Sequence, residues 1–383
     1  MLRRQFLSAL PSVIAAGSSF GLISHACAQT ARDKDAFVFS STAALTGPLG
    51  GFGVNMKLGV DLAFAQINAK GGVHGRKMQY EVLDDAYVPA RSVENAKKIL
   101  ADNDVLALIG CLGTANNAAI TPMIEQSSIA HLAPLTGASS LRRPELRNLF
   151  HVRASYTDES RRLVQNLVGM GITSLAVVYL DNAYGKEVLG DIVNALDAAG
   201  IKTVAQSALA VDGKNMESVV ASVLGSKPSA VLLGTSGAAS TGVVAALRAA
   251  SNTMPIASIS AALTQGGIKQ LGTAAKGVAV TMVFPDADRA KTQLVRDYQA
   301  ATKAGGQDVF TTGALEGYVS GRLMAEAVLR TGRAASREKI RTALASIRNY
   351  DLGGFAIDYS NKLMVASKFV DLGVLTADGK IRG

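Results

Sequence analysis

Tryptophan is absent from the 383 residues, cysteine occurs only twice, and aromatic residues amount to 5%. Two cysteines cannot build a disulfide scaffold or a Cys-rich zinc or iron–sulfur framework. The formal net charge is +9, yet the 39 Lys and Arg residues are scattered and few aromatics interleave them, so no nucleic-acid groove is implied. Charge is sparse at 18% and hydrophobic residues reach 48%, the opposite of a disordered chain. After Ala28 no apolar run is long enough to span a bilayer. What is present in quantity is glycine, 38 residues, in a length suited to two or three domains.

Residues 1–28 read as an address label. Arg3 and Arg4 precede a largely apolar run, Phe6 to Ile23, broken by Pro11. Ala26-Cys27-Ala28 supplies the small-x-small pattern after which signal peptidases cut, so the mature chain is expected to begin at Gln29. Arg3-Arg4-Gln5-Phe6-Leu7 resembles a twin-arginine signal, but Leu2 replaces the usual Ser or Thr, which leaves both export routes open. Lipidation at Cys27 is disfavoured, because Ser24-His25-Ala26 lacks the expected upstream Leu. With Cys27 removed, Cys111 stands alone and no intramolecular disulfide can form.

Short apolar runs then alternate with helical periodicity along the chain. Phe37-Val38-Phe39, Met78 to Leu83, Val105 to Ile109 and Ile129 to Ala133 read as strands. Between them lie helices over Met56 to Ile67, from Pro89 to about Leu100, and near Ala118 to Gln126. After Arg153 the pattern restarts, with strands at Leu175 to Tyr179, Lys202 to Ser207, Ala230 to Leu233, Ile256 and Val278 to Phe284. This βαβ succession predicts an α/β fold of parallel sheets with right-handed crossovers. Two such runs suggest two similar lobes. The tail adds helices at Lys291 to Lys303, Thr312 to Leu329 and Arg337 to Ala345, then strands near Phe355-Ala356-Ile357 and Phe369 to Leu375.

Catalytic signatures fail on residue grounds. Gly185-Lys186, Gly213-Lys214 and Gly379-Lys380 are followed by Glu, Asn and Ile, not by the Ser or Thr of a phosphate loop. Gly234-Thr235-Ser236-Gly237-Ala238 approaches a nucleophile elbow, but no His follows it in the chain. The three remaining His residues are too dispersed for a zinc site, and His131 sits in a buried run as a core residue would. Asp84-Asp85 could hold a hard cation, though such a pair more often caps a helix or faces water. Cys111 after a buried strand reads as a small packed residue rather than a nucleophile. No enzyme, metal or cofactor is implied.

The loops after the strands carry the remaining signal. In open α/β sheets ligands bind beyond the carboxyl ends of parallel strands. Here those places hold Gly110-Cys111-Leu112-Gly113-Thr114 and Pro134-Leu135-Thr136-Gly137-Ala138-Ser139. A hydroxyl at Thr114 beside the backbone N–H groups of a helix start suits a small carboxylate. The plainer role of such a threonine is a helix N-cap.

Thr46-Gly47-Pro48, Asn68-Ala69-Lys70-Gly71-Gly72-Val73-His74-Gly75-Arg76, Asp84-Asp85, Leu108-Ile109-Gly110, Pro134-Leu135-Thr136-Gly137-Ala138 and Asp181-Asn182-Ala183-Tyr184-Gly185 occur in that order over nearly the whole chain. Together they resemble the periplasmic substrate-binding proteins for leucine, isoleucine and valine. The resemblance implies a type I periplasmic-binding fold: two Rossmann-like lobes joined by a three-stranded hinge, closing on a ligand that is delivered to an ABC permease of the inner membrane. It implies an N-terminal lobe of residues 29–153 plus about 285–365, a second lobe of 154–284 plus about 366–383, and a monomer in the periplasm.

At single positions the resemblance places Thr114 on the ligand carboxylate and Tyr184 as the second-lobe tyrosine that closes over it. As a cleft residue, Tyr184 should be removable without cost to the stability of the empty protein. Leu135, Thr136 and Gly137 fall where relatives offer backbone groups and a threonine, with Thr136 one position early. Ser236 stands where branched-chain binders often carry an aromatic, Ser260 near their ammonium-binding glutamate, and Leu49 where a tyrosine is frequent. Without that glutamate, Asp181, Glu316 or another acid must face an ammonium, or the ligand has none. The ligand is therefore a small carboxylate: a branched-chain or related amino acid, or a non-amino acid such as an aromatic acid.

Overall fold

The computed structural model describes residues 32–251 and 253–383. The leader, Cys27 and the expected cleavage point lie outside the described residues. The first sheet contains β1 (Phe37–Ala43), β2 (Met78–Asp84), β3 (Val105–Ile109), β4 (Ala130–Leu132) and β5 (Leu149–Phe150) in the order β2-β1-β3-β4-β5. All its pairings are parallel. Helices α1 (Gly50–Ala69), α2 (Pro89–Ala101) and α3 (Thr114–Glu125) make the crossovers. β3 is apolar throughout, as a strand covered on both faces must be.

The second sheet takes β6 (Leu175–Leu180), β7 (Thr203–Leu209), β8 (Ala230–Gly234), β9 (Ile256–Ser258) and β10 (Val278–Met282), wound by α4 (Tyr156–Gly169), α5 (Ala183–Ala198), α6 (Met216–Gly225), α7 (Ala238–Ala250) and α8 (Gln265–Leu271). After α9 (Gln293–Ala304), α10 (Thr312–Thr331), α11 (Arg337–Ala345) and the small hairpin β11 (Tyr350–Asp351) with β12 (Ala356–Ile357), the chain returns to this sheet. There β13 (Asp371–Leu375) adds antiparallel to β10, and β14 (Ile381–Arg382) to β13. The chain thus passes between the sheets three times, at 151–155, 283–292 and 358–370.

The α10 helix packs along α1 at a separation only glycine allows. A side chain at Gly59 would overlap the Ala314 carbonyl, and one at Gly317 the Met56 carbonyl. Glycine also explains where α1 begins. The Gly-rich stretch before Met56 reads as loop, yet the helix starts at Gly50, where the chain passes so close that a Cβ would stand 2.8 Å from the Leu45 carbonyl oxygen. Tertiary contact overrides low helix propensity. The same low propensity hid α8, which opens on Gln265-Gly266-Gly267 and is nucleated by Thr264, whose hydroxyl accepts the Gly267 N–H at 3.0 Å.

His131 is fully buried in β4, its Nε2 accepting the Cys111 N–H at 3.3 Å, and burial drives its pKa down to about 3. His151 is lowered too, by burial and then by the nearby Arg142 charge. A histidine neutral in the fold but free to protonate when unfolded costs stability as pH falls. Between pH 6.5 and 5 His131 should remove about 2 kcal/mol. Denaturant titrations at pH 7 and 5 should show that much less pH dependence in His131→Gln; equal dependence in both proteins refutes the assignment. Burial also pushes the Cys111 thiol up to about 11, leaving no thiolate near neutrality.

Asp84 and Asp85 each have a structural task. Asp85, wholly buried, accepts from the Thr42 hydroxyl at 2.9 Å, the Ser92 hydroxyl at 2.7 Å and the Tyr87 N–H at 2.8 Å. Asp84 accepts from the Leu45 N–H at 2.8 Å, the Thr46 hydroxyl at 2.6 Å and the Ala86 N–H at 3.0 Å. No group of three or more His, Cys, Asp or Glu side chains among the described residues is arranged to hold a metal ion. No helix among them is long and apolar enough to cross a membrane.

Candidate functional site

Each sheet has, among its parallel strands, a switch point where crossovers leave in opposite directions: between β1 and β3 in the first, between β6 and β8 in the second. Ligand crevices form at the carboxyl ends of strands at such points. Both crevices open onto one cleft of about 120 Å3. The first sheet contributes Leu49, Leu112 and Thr114, and the second contributes Tyr184 and Ser236. Apolar walls that include Phe52, Ile259, Leu263 and Val280 alternate with hydroxyl, amide and charged side chains. An apolar cavity of roughly 150 Å3 holds a benzene-sized molecule, so the fit is to a ligand of that order.

Thr114 lines the cleft as the first residue of α3, and α3 has no side-chain cap. Its hydroxyl pairs instead with the Thr136 hydroxyl at 2.8 Å. The helix-capping role weighed for Thr114 is therefore not the one it plays. Leu135 lines the cleft as well, tied by its N–H to the Cys111 carbonyl at 2.9 Å. Thr136 and Gly137 are absent from the lining. Thr136 is fully buried behind Thr114, and the Tyr156 ring fills the space a side chain at Gly137 would need.

Tyr184, Ser236 and Ser260 all face the cleft. The Tyr184 hydroxyl donates to the Thr235 carbonyl at 3.2 Å, and its ring meets Tyr156 edge-on at 5.6 Å. It is 5% exposed, which argues against the expectation that its removal leaves the stability of the empty protein nearly intact. Tyr184→Ala should cost about 3 kcal/mol in the empty protein as well as weakening binding, read by chemical denaturation. Ser236 donates to the Ala261 carbonyl at 2.7 Å. Ser260 receives the Arg153 Nη2 at 2.6 Å and gives its N–H to Glu159 at 2.7 Å. Of the two acids named for an ammonium, Asp181 is off the cleft and paired with Lys186 at 2.8 Å, whereas Glu316 lines it.

Sequence reasoning missed Arg153, Tyr156 and Tyr87, all of which line the cleft. Arg153 and Glu316 side chains are 7% and 5% exposed, with Nε 3.7 Å from Oε1, and neither of those atoms has a hydrogen-bond partner. Burial works against the Arg153 charge, but Glu316 and Glu159 outweigh it and hold its pKa up. Burial raises the Glu316 pKa, offset in part by Arg153. The available signal was a charge inside the apolar run Leu149-Phe150-His151-Val152-Arg153-Ala154, since a cation is rarely buried without purpose. Tyr87 follows Ala86, both with positive φ (63° and 49°), and the Asp84 and Asp85 carboxylates hold that turn. Its ring lies over Gly113, where a side chain would clash.

A family model described as a periplasmic binding protein matches residues 41–369. The Leu/Ile/Val-binding protein BraC3 of Rhizobium johnstonii is 25% identical over 191 residues, which are 49% of this chain and 52% of that protein. The chain spans about half the length of the curated relatives it matches. A substrate-binding periplasmic protein from Ralstonia solanacearum superposes with a TM-score of 0.84 at 26% identity, covering 90% of this chain and 99% of that one. A possible leucine/isoleucine/valine-binding protein from Rhodopirellula baltica gives 0.85 at 26% identity, covering 92% and 97%.

Proposed function

The chain belongs to the periplasmic binding protein family, and from that premise we propose that it captures a small carboxylate by hinge closure and hands it, chemically unchanged, to an ABC importer. The observation that carries this reading is one cleft at both switch points, lined by Thr114 at the start of α3 and by a buried arginine. Helix-start N–H groups and a hydroxyl attract a carboxylate, and the apolar walls accept its side chain. Ligand favours closure because only the closed cleft touches it from both sides.

The lobes are residues 29–153 with about 285–365, and 154–284 with about 366–383. The three chain passages and the return of β13 and β14 to the second sheet support this division. The protein works in the periplasm as a monomer, after loss of residues 1–28. A branched-chain amino acid is the ligand class that the names of the relatives favour. A non-amino carboxylic acid is favoured by a different observation, the guanidinium beside Glu316. Service to a membrane sensor instead of a permease is the alternative for the partner, and co-purification with permease or with sensor kinase separates the two.

A thermal-shift screen of amino and carboxylic acids tests the whole reading. Ligand at 100 times its Kd should add about 2.7 kcal/mol to stability. A screen in which no carboxylate shifts the melt sinks it. Thr114→Val should lower affinity by about 1.5–3 kcal/mol, the worth of a hydrogen bond to a charged group, as measured by calorimetry. Unchanged affinity would remove Thr114 from the site.

A further inference from the structure

We propose that Arg153 and Glu316 act together as the selectivity element of the cleft, and that they choose a carboxylate bearing a neutral hydroxyl over its ammonium analogue. This rests on the carboxylate reading above and decides between its two ligand classes. The two side chains come from distant parts of the chain, the passage after β5 and the first turns of α10, and meet on the cleft wall. Among the described residues, Arg153 Nη2 donates to Ser260, and no other Arg153 nitrogen makes a hydrogen bond. Arg153 Nε and Glu316 Oε1 are buried without partners although they stand 3.7 Å apart, too far for a hydrogen bond.

A buried donor and a buried acceptor left unmade are costly, so the pair is poised for a group that satisfies both. A hydroxyl does so: its oxygen accepts from the guanidinium and its hydrogen goes to the carboxylate. An ammonium has no acceptor for Arg153 and meets a like charge at close range. Lone glutamates in clefts suit ammonium ions, but this one is not alone. The charged groups that act on Glu316 are Arg153, Arg142 and Glu159, so around it two guanidinium and two carboxyl groups offset one another. Arg142 is itself committed to the carbonyls of Ala138, Thr136, Arg153 and Ala154. Glu159 is held by the Ser260 N–H and the Thr281 hydroxyl. The wall therefore presents no net negative charge to draw an ammonium.

The test is calorimetry on the mature chain with sets of acids that share a side chain (isobutyl, benzyl or phenyl) and differ only in hydrogen, hydroxyl or ammonium at the α-carbon. The hydroxy acid should bind roughly tenfold or more tighter than the amino acid of its set. In Arg153→Gln/Glu316→Gln, which removes both charges together, that preference should shrink to about threefold or less. If this variant does not melt cooperatively, Arg153→Lys, which keeps the charge without the fork, should also narrow the preference. An amino acid binding as tightly as its hydroxy partner overturns the inference, as does a preference that survives either variant. Binding of the unsubstituted acids in those cases leaves the carboxylate reading standing; failure of every acid overturns both.

Discussion

Gly237→Val should lower ligand affinity by a hundredfold or more while the empty protein still folds. Gly237 opens α7 with φ of +61°, and it sits against the loop before α1 on the opposite side of the cleft. A Cβ there would stand 2.5 Å from Leu49 Cδ2 and 2.9 Å from the Pro48 carbonyl oxygen. The leucine can turn aside; the backbone oxygen cannot without moving its loop. Other contacts share this rim, including the Ser140 N–H and hydroxyl on the Glu187 carboxylate, both at 2.9 Å. A side chain at Gly237 penalises only the state in which these segments touch, so it shifts the equilibrium toward the open form. This backbone conformation, φ +61° with ψ −133°, costs a branched residue roughly a further 1–3 kcal/mol in either state, which appears in the melt and not in the open–closed balance. Small-angle scattering with saturating ligand should show the wild type contracting and the variant remaining extended. A variant that contracts and binds as the wild type does would mean that this rim is not part of closure.

Asp85→Ala should destabilise the fold by about 3–5 kcal/mol, because three donors, two of them buried, lose their acceptor at once. The effect reaches function through Tyr87. Its N–H is one of those donors, and the strained turn that lays its ring over Gly113 at the start of α3 depends on it. Asp85→Asn, which keeps one acceptor oxygen, should cost less. Denaturant melts measure both, and a loss below about 1 kcal/mol for the alanine variant would show that the network relaxes without its carboxylate.

Much of this architecture was legible one strand at a time. Val105 to Ile109 and Ala230 to Leu233 are short continuous apolar runs between turn residues, the pattern of a strand sealed on both faces. The alternation with helical periodicity made the sheets parallel, and parallel sheets put ligands beyond their carboxyl ends. Thr114, Leu135, Tyr184, Ser236 and Ser260 were reachable by that route, together with the family resemblance, and all line the cleft. Thr136 and Gly137 were not separable from them, because adjacent residues in a loop differ in facing by a rotation that local sequence does not encode. Hence Thr136 turns inward to Thr114 and Gly137 makes room for Tyr156.

Periodicity, glycine placement and the loops after strands are local properties, and by themselves they determined an α/β chain of two wound sheets with a ligand crevice expected beyond the strand ends. Partnership is not local. That Arg153 would meet Glu316 across more than a hundred and sixty residues, that Asp181 would turn to Lys186, and that Gly237 would abut Pro48 were decided only when the chain came back on itself. The physical reason is that the worth of a buried charge or a missing Cβ depends on what stands opposite, and only the tertiary structure supplies the opposite side.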